Sequence, residues 1–203
     1  MNLLKRSFYN RPASIVAREI LGAHLVRLID GQCLVGMITE AEAYQGEEDL
    51  GCHAHYGKTR RNAVMYGPPG RAYIYFTYGM HWMLNAVTGQ DGSPAAVLIR
   101  AIQPLEGLDV FEQNRPNLAH TPHWLDGPAK LTQAMLVDRR LNGIDLCDPN
   151  SELSITPGEA ILEENVTKTA RIGLYTVPEP WKSIPWRFVI KMEKGRPRDE
   201  IQK

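Results

Sequence analysis

Between Ala72 and Val87 the chain reads AYIYFTYGMHWMLNAV, and a run of this kind leaves the backbone little choice. Aromatic and β-branched residues at such density fit a pleated strand. Alternation sends Tyr73, Tyr75 and Thr77 to one face and Ile74, Phe76 and Tyr78 to the other. The run breaks at Tyr78-Gly79-Met80-His81, where Gly79 can take the positive φ that a tight hairpin turn needs, and Trp82–Val87 returns as the second strand. Tyr78 then sits at or near the tip, where a large ring left in water calls for a partner to cover it. Six of the eight tyrosines lie between Tyr44 and Tyr78, so the aromatic density is local. Strand aromatics commonly serve as core or cross-strand packing. A surface that stacks flat rings is the alternative.

At 203 residues, 43% apolar and 23% charged, the chain has the size and composition of one folded domain with its own core. Its best apolar run, Ala95–Ile99, falls well short of a membrane span, and MNLLKRSFYNRP lacks the apolar centre of a secretory signal. Cys33, Cys52 and Cys147 form no CxxC pair and are odd in number, which fits free thiols in a reducing, cytoplasmic setting. Lys plus Arg and Asp plus Glu balance at 23 each, which argues mildly against a nucleic-acid binder. Only a local basic patch, however, has to face phosphates.

In chain order, Asn10, Pro12 and Gly22 bracket a short amphipathic helix over residues 12–21. His24–Ile29, an Asp30-Gly31 turn and Gln32–Ala43 follow as a hairpin; if the strand stays extended to Tyr44, then Glu40, Glu42 and Tyr44 point the same way. Ala95–Ile102 reads as a buried strand with a single charge, Arg100, and Pro104–Gln113 and Pro128–Leu136 read as helices. Leu153–Ile155, Ala170–Tyr175 and Trp186–Met192 read as strands, and residues 1–11 and 194–203 as frayed tails. Antiparallel neighbours on short turns with few helices predict an α+β fold, a single mixed domain around a curved, mainly antiparallel sheet.

Three constellations carry chemical interest. Glu42, Tyr44 and His53 form the first: a carboxylate between Ala41 and Ala43 is costly to bury unless paired or working. A solvated strand edge is the competing account, but Arg100, alone in AAVLIRAI, needs a partner that Glu42 can supply. The second is the basic cluster Lys58, Arg60 and Arg61, joined by Lys130 near a helix start. It is either a solvated loop or an anchor for phosphates beside a ring that enters a groove. The third, Cys52, His53, His55, His120 and His123, lacks the ligand spacing of a structural zinc site, so neither metal nor cofactor is expected. No dinucleotide, Walker A, nucleophile-elbow or zinc-protease motif occurs.

Five ordered blocks resemble the alkyladenine (3-methyladenine) DNA glycosylases: TEAEAYQGEEDLGCH (39–53), KTRRNAVMYGPPGRAYIYFTYGMHWMLNAV (58–87), VLIRAIQPLEG (97–107), GPAKLTQAM (127–135) and RIGL (171–174). The resemblance extends from about Pro12 to Lys191 and implies a mixed α/β domain with a protruding β-hairpin. It further implies excision of alkylated purines from double-stranded DNA, without cofactor or membrane. By the same resemblance Glu42 is the catalytic carboxylate that activates water, and Arg100 and the backbone carbonyl of Ile172 help to hold that water. Tyr44, His53 and Tyr75 resemble the walls and edge of the base pocket, and Asn85 the floor residue that obstructs the amino group of normal guanine. Tyr78 matches the residue that fills the gap in the duplex. His81 and Trp82, after the wedge turn, depart from the expected bulky residues, as does the neutral net charge.

These roles imply a base turned out of the helix and hydrolysed from its sugar, and with no lysine placed for a Schiff base, no strand cleavage. A single DNA-binding face makes a monomer the simplest expectation. Two rivals stand beside this: a non-catalytic module for single-stranded nucleic acid, and a glycoside hydrolase with Glu40 and Glu42 as its acid–base pair.

Overall fold

The computed structural model describes residues 2–116, 121 and 123–191. Its elements are α1 (Arg6–Tyr9), α2 (Ala13–Glu19), β1 (His24–Ile29), β2 (Gln32–Gln45), β3 (Ala72–Thr77), β4 (His81–Val87), β5 (Ala95–Glu106), α3 (Leu108–Asn114), α4 (Pro128–Ala134), β6 (Leu153–Thr156), β7 (Val166–Thr169) and β8 (Arg187–Ile190). All strand pairs are antiparallel, in the order β3-β4-β5-β2-β1-β6, with β8 on β2 and β7 on β8. The α+β expectation holds: the strands form one curled, half-barrel sheet with a few short helices against it.

β2 is the axis. Its 14 residues lie along β5 on one edge, while β1 and β8 divide the other edge between them. Register shifts between Val35 and Gly36, and on both sides of Glu40, bend the β2–β5 ladder. Such irregularities increase local twist and let a sheet curl. From Ile38 to Ala43 every residue is buried, which marks a strand covered on both faces. Ala41 and Ala43 face the main core with Val16 and Ala17 of α2 and Ile20 just after it, and small side chains there let the helix lie close. Glu42 is turned away from that core.

Several expectations change in detail. The helix expected over 104–113 starts only at Leu108, because β5 runs on through Pro104, which pairs with Gly36 beside a register shift. Proline is tolerated in a strand at such an irregularity, where the ladder does not require its missing N–H. Residues 170–175 are turns rather than a strand, since Arg171 and the Ile172 N–H bond inward to carboxylates instead of to a neighbouring strand. The strand in this region is β7, just upstream. Nor are residues 2–11 a frayed tail: Tyr9 has no exposed surface, Leu4 N donates to Ile155 O (2.9 Å), and Arg6 reaches Pro69 O (2.5 Å) and Asp145 (2.6 Å). Residues 194–203 lie outside the described residues, as does His120.

Among the described residues no helix is long and apolar enough to cross a membrane. Cys33, Cys52 and Cys147 are free thiols.

If α1 is part of the core, Tyr9→Ala lowers unfolding free energy in urea by about 3–5 kcal/mol, the range for truncating a buried aromatic residue. An unchanged midpoint would return this segment to the status of a tail.

Candidate active site

A cavity of about 310 Å³ opens where the β3–β4 hairpin, β5, the turn before His53 and the 171–174 turn converge. Strand alternation builds one wall. Tyr73, Tyr75 and Thr77 face the cavity, while Ile74 goes to the main core, as the sequence pattern predicts. Tyr44, His53, Asn85, Arg100 and Ile172 complete the parts that sequence singled out, and Tyr78 stands at the rim. The His53 ring meets Tyr75 edge-on with centroids 4.4 Å apart, and its Nδ1 lies 3.0 Å from the Tyr73 hydroxyl. Packing among these rings, with the Arg61 charge second, pushes the His53 imidazole down to about 4, so it is neutral at neutral pH. Burial likewise holds the Tyr75 phenol up at about 12. Asn85 donates Nδ2 to the Tyr73 carbonyl (3.0 Å), which leaves its amide oxygen as the end free to meet a ligand.

Glu42 has no exposed surface of its own and is not among the residues that line the cavity; it is joined to the cavity through its hydrogen-bond donors. Three donors hold it: Ile172 N to Oε1 (2.7 Å), and Tyr44 OH (2.8 Å) and Arg100 Nη1 (3.2 Å) to Oε2. All three donors belong to residues that line the cavity. Oε1, with a single donor, keeps an open acceptor position. Burial and the neighbouring Glu42 charge hold the Tyr44 phenol well above its ordinary range, so it acts here as a neutral donor. Arg100 also reaches Glu40 (2.6 Å), which Arg187 grips from the other side (2.7 Å). Neither glutamate is among the residues that line the cavity, but Glu40 is locked between two guanidiniums whereas Glu42 is met by donors from lining residues, which leaves Glu40 poorly placed as the acid–base partner that a glycoside hydrolase would need.

Sequence reading missed one pair of residues. Asp49 and Arg171, both without exposed side-chain surface, form a two-pronged ion pair at 2.5 and 2.8 Å. Asp49 reads in sequence as continued acidity, and Arg171 only as the first letter of RIGL. The signal available was the cost of hiding either charge alone.

The hairpin tip and the basic loop lie outside the cavity. Tyr78 is 81% exposed, with Met80 and Phe76 also largely in solvent. Tyr78 and Gly79 both have positive φ (52° and 68°), and Met80 N closes the turn on Thr77 O (3.2 Å). This is the sense of turn that matches strand twist, and it forces a tyrosine into a region that asparagine and glycine tolerate better. Trp82 stacks near Phe76 (4.7 Å) and accepts from Thr132 of α4 (2.8 Å), so it braces the hairpin, while His81 is exposed. Lys58 and Arg60 are exposed; Arg61 lies over the Tyr75 ring (5.2 Å) and donates to Phe76 O (3.1 Å), tying the basic loop to the hairpin. Lys130 instead spends its ammonium on Asp126 (2.6 Å) and His123 O (2.7 Å). Among the described residues no group of three or more His, Cys, Asp or Glu side chains is arranged to hold a metal ion.

The family model described as methylpurine-DNA glycosylase (MPG) matches residues 7–194. A protein of Carboxydothermus hydrogenoformans is 47% identical over 192 residues, covering 95% of this chain and 97% of its own. One from Methanocella arvoryzae is 44% identical over 191 residues, with 94% of each chain covered. One from Myxococcus xanthus is 44% identical over 201 residues, covering 97% of this chain and 96% of its own. Each is named as a candidate 3-methyladenine DNA glycosylase.

The turn geometry carries its own test. A left-handed backbone costs a non-glycine residue about 1–2 kcal/mol, and asparagine bears it best. Tyr78→Asn is therefore expected to raise unfolding free energy by about 1 kcal/mol in urea. A fall would mean that the ring makes stabilising contacts its exposure does not reveal.

Proposed function

The chain belongs to the methylpurine-DNA glycosylase family, DNA-repair hydrolases that act on alkylated purines, and on that premise we propose how its own residues do the work. The substrate is double-stranded DNA carrying an alkylated purine of the 3-methyladenine type, bound by a monomer through one face. Glu42 is the catalytic base, and the observation that carries this is a fully buried carboxylate met by three donors at the back of a tyrosine-lined cavity.

Turning a nucleotide out of the duplex costs a few kcal/mol. Tyr78, already projecting from a braced turn, offsets part of that cost by filling the vacancy, and stacking on Tyr44, His53 and Tyr75 contributes roughly 1–3 kcal/mol per base. An alkylated purine bears positive charge, so the ring faces add cation–π attraction. The same charge makes the base a ready leaving group. Lys58, Arg60 and Arg61 fit phosphates on the hairpin's flank; Lys130, engaged with Asp126, adds little.

The open acceptor position on Oε1 takes a proton from water aimed at the sugar carbon, while the negative charge stabilises the oxocarbenium-like transition state. The Ile172 carbonyl and Arg100 steady that water. Because Glu42 has no exposed surface, Tyr44 and Ile172 must yield by the width of a water molecule as the nucleotide enters. Asn85, its amide fixed by the bond to the Tyr73 carbonyl, obstructs the amino group of normal guanine by occupying the space that group would need. The reaction is simple hydrolysis that ends at an abasic site with the strand intact.

Methylated duplex incubated with the wild-type protein is expected to release free 3-methyladenine, detected by chromatography. Glu42→Gln should retain binding to the duplex but slow release by a factor on the order of 100–10,000; release at the original rate would remove Glu42 from the mechanism. Tyr78→Ser should weaken extrusion more than chemistry, read by stopped-flow fluorescence of an environment-sensitive base at the lesion site. An unchanged extrusion trace would contradict the wedge role.

A further inference from the structure

Asp49 and Arg171 are not among the residues that line the cavity, yet they connect the segments that make the site. Arg171 Nη1 reaches Asp49 Oδ2 (2.5 Å) and the Ala43 carbonyl of β2 (3.0 Å), and Nη2 reaches Asp49 Oδ1 (2.8 Å) and the Trp181 carbonyl (3.2 Å). The guanidinium also lies over the rings of Tyr44 (4.8 Å) and Trp186 (5.3 Å). Asp49 in turn accepts the N–H groups of Gln45 (3.1 Å) and Gly51 (2.9 Å), which shapes the turn leading to His53. Gly51 packs closely here: a Cβ would stand 2.6 Å from Leu174 Cδ1 and 3.0 Å from Arg171 Nη2, so both side chains would have to shift.

We propose that the Asp49–Arg171 pair is the positioning clamp of the active site, aiming the Ile172 amide and the Tyr44 hydroxyl at Glu42 and fixing the turn that carries His53. One planar cation does this because it can fork to a carboxylate, donate to two carbonyls and stack on two rings at once; lysine can do only one of these well. Ile172 is the residue next to Arg171, so anchoring the guanidinium sets where the Ile172 peptide points. The Tyr44 hydroxyl is set by the ring that lies on the guanidinium. Two of the three donors on Glu42 therefore depend on a group that does not touch Glu42, and the third, Arg100, is held independently through Glu40.

This rests on Glu42 as the base, and the test separates the two ideas. Arg171→Lys and Asp49→Asn are compared with wild type in single-turnover release of purine from methylated duplex and in affinity for a duplex carrying a tetrahydrofuran abasic analogue. Displacing groups by an ångström from a reacting centre costs on the order of 100-fold in rate, and that loss is expected for Arg171→Lys, with affinity changed by less than about threefold. The Ile172 amide proton should also move upfield as its bond to Glu42 loosens. In a Glu42→Gln background the lysine substitution should cause no further loss, because the group it aims is already gone. If Glu42→Gln alone keeps the wild-type rate, the catalytic reading fails whatever the clamp does.

Wild-type release by Arg171→Lys, or a loss of affinity equal to the loss of rate, would overturn the clamp. Should the charge-pair variants not fold, Gly51→Ala displaces Arg171 and Leu174 without deleting a charge. It should show the same division between rate and affinity, and a wild-type rate in Gly51→Ala would equally overturn the proposal.

Discussion

Three carboxylates and three guanidiniums share one seam beside β2, and the site depends on their neutralising one another away from water. Glu40, Glu42 and Asp49 are set against Arg100, Arg171 and Arg187. Burying an ion costs several kcal/mol, and attraction to a partner repays it only where geometry and further hydrogen bonds are good. Here each carboxylate meets donors from more than one strand or turn. Such a seam is a poor way to gain stability compared with an apolar core. It gives something an apolar core cannot: a carboxylate held in one orientation beside a cavity, with a lone pair left open.

The rest of the architecture serves that arrangement. β2 is covered on both faces, its alanines against α2 and its glutamates against the seam, and register shifts around Glu40 turn the strand so that Arg187 from β8 and Arg100 from β5 reach Glu40 from opposite sides. The tyrosine wall comes from a hairpin that leaves the sheet at the far side of β5. Its base is tied into the core through Ile74 and Leu84, and its tip is braced by Trp82 on α4 but otherwise exposed. The hairpin thus combines an anchored base with a projecting tip. The overall charge is zero, yet the basic loop with Lys58, Arg60 and Arg61 is tied beside this hairpin through Arg61, which concentrates positive charge locally.

Chemistry in the cavity follows from which groups are denied a charge. His53 is neutral because its packing against the neighbouring rings disfavours the charged form and Arg61 repels a second cation, although the residue keeps exposed surface. The phenols of Tyr44 and Tyr75 keep their protons for the same reason of burial. The lining therefore offers aromatic faces and neutral donors, with the negative charge concentrated one layer behind at Glu42. A cationic base gains from this arrangement more than a neutral one.

Short-range order was legible in the sequence. The hairpin at Ala72–Val87, its turn at Tyr78-Gly79, the alternation of Tyr73 and Tyr75, the first hairpin with its Asp30-Gly31 turn, and the helix begun by Pro128 all follow from periods and turn chemistry within a few residues. The lone Arg100 and the carboxylate between two alanines likewise announced a buried pair, because an unpaired charge in such surroundings is too costly to keep. What the sequence could not settle alone is whatever depends on contacts far apart along the chain. Residues 170–175 have the composition of a strand but are bent into turns by Asp49, 122 positions from Arg171, and by Glu42, 130 positions from Ile172. The N-terminal stretch reads as a frayed tail until Asp145 and the core around Tyr9 receive it. Local propensity is a sum of small preferences, and a single buried ion pair or aromatic anchor outweighs it; which residues make that contact is decided only when the chain has folded.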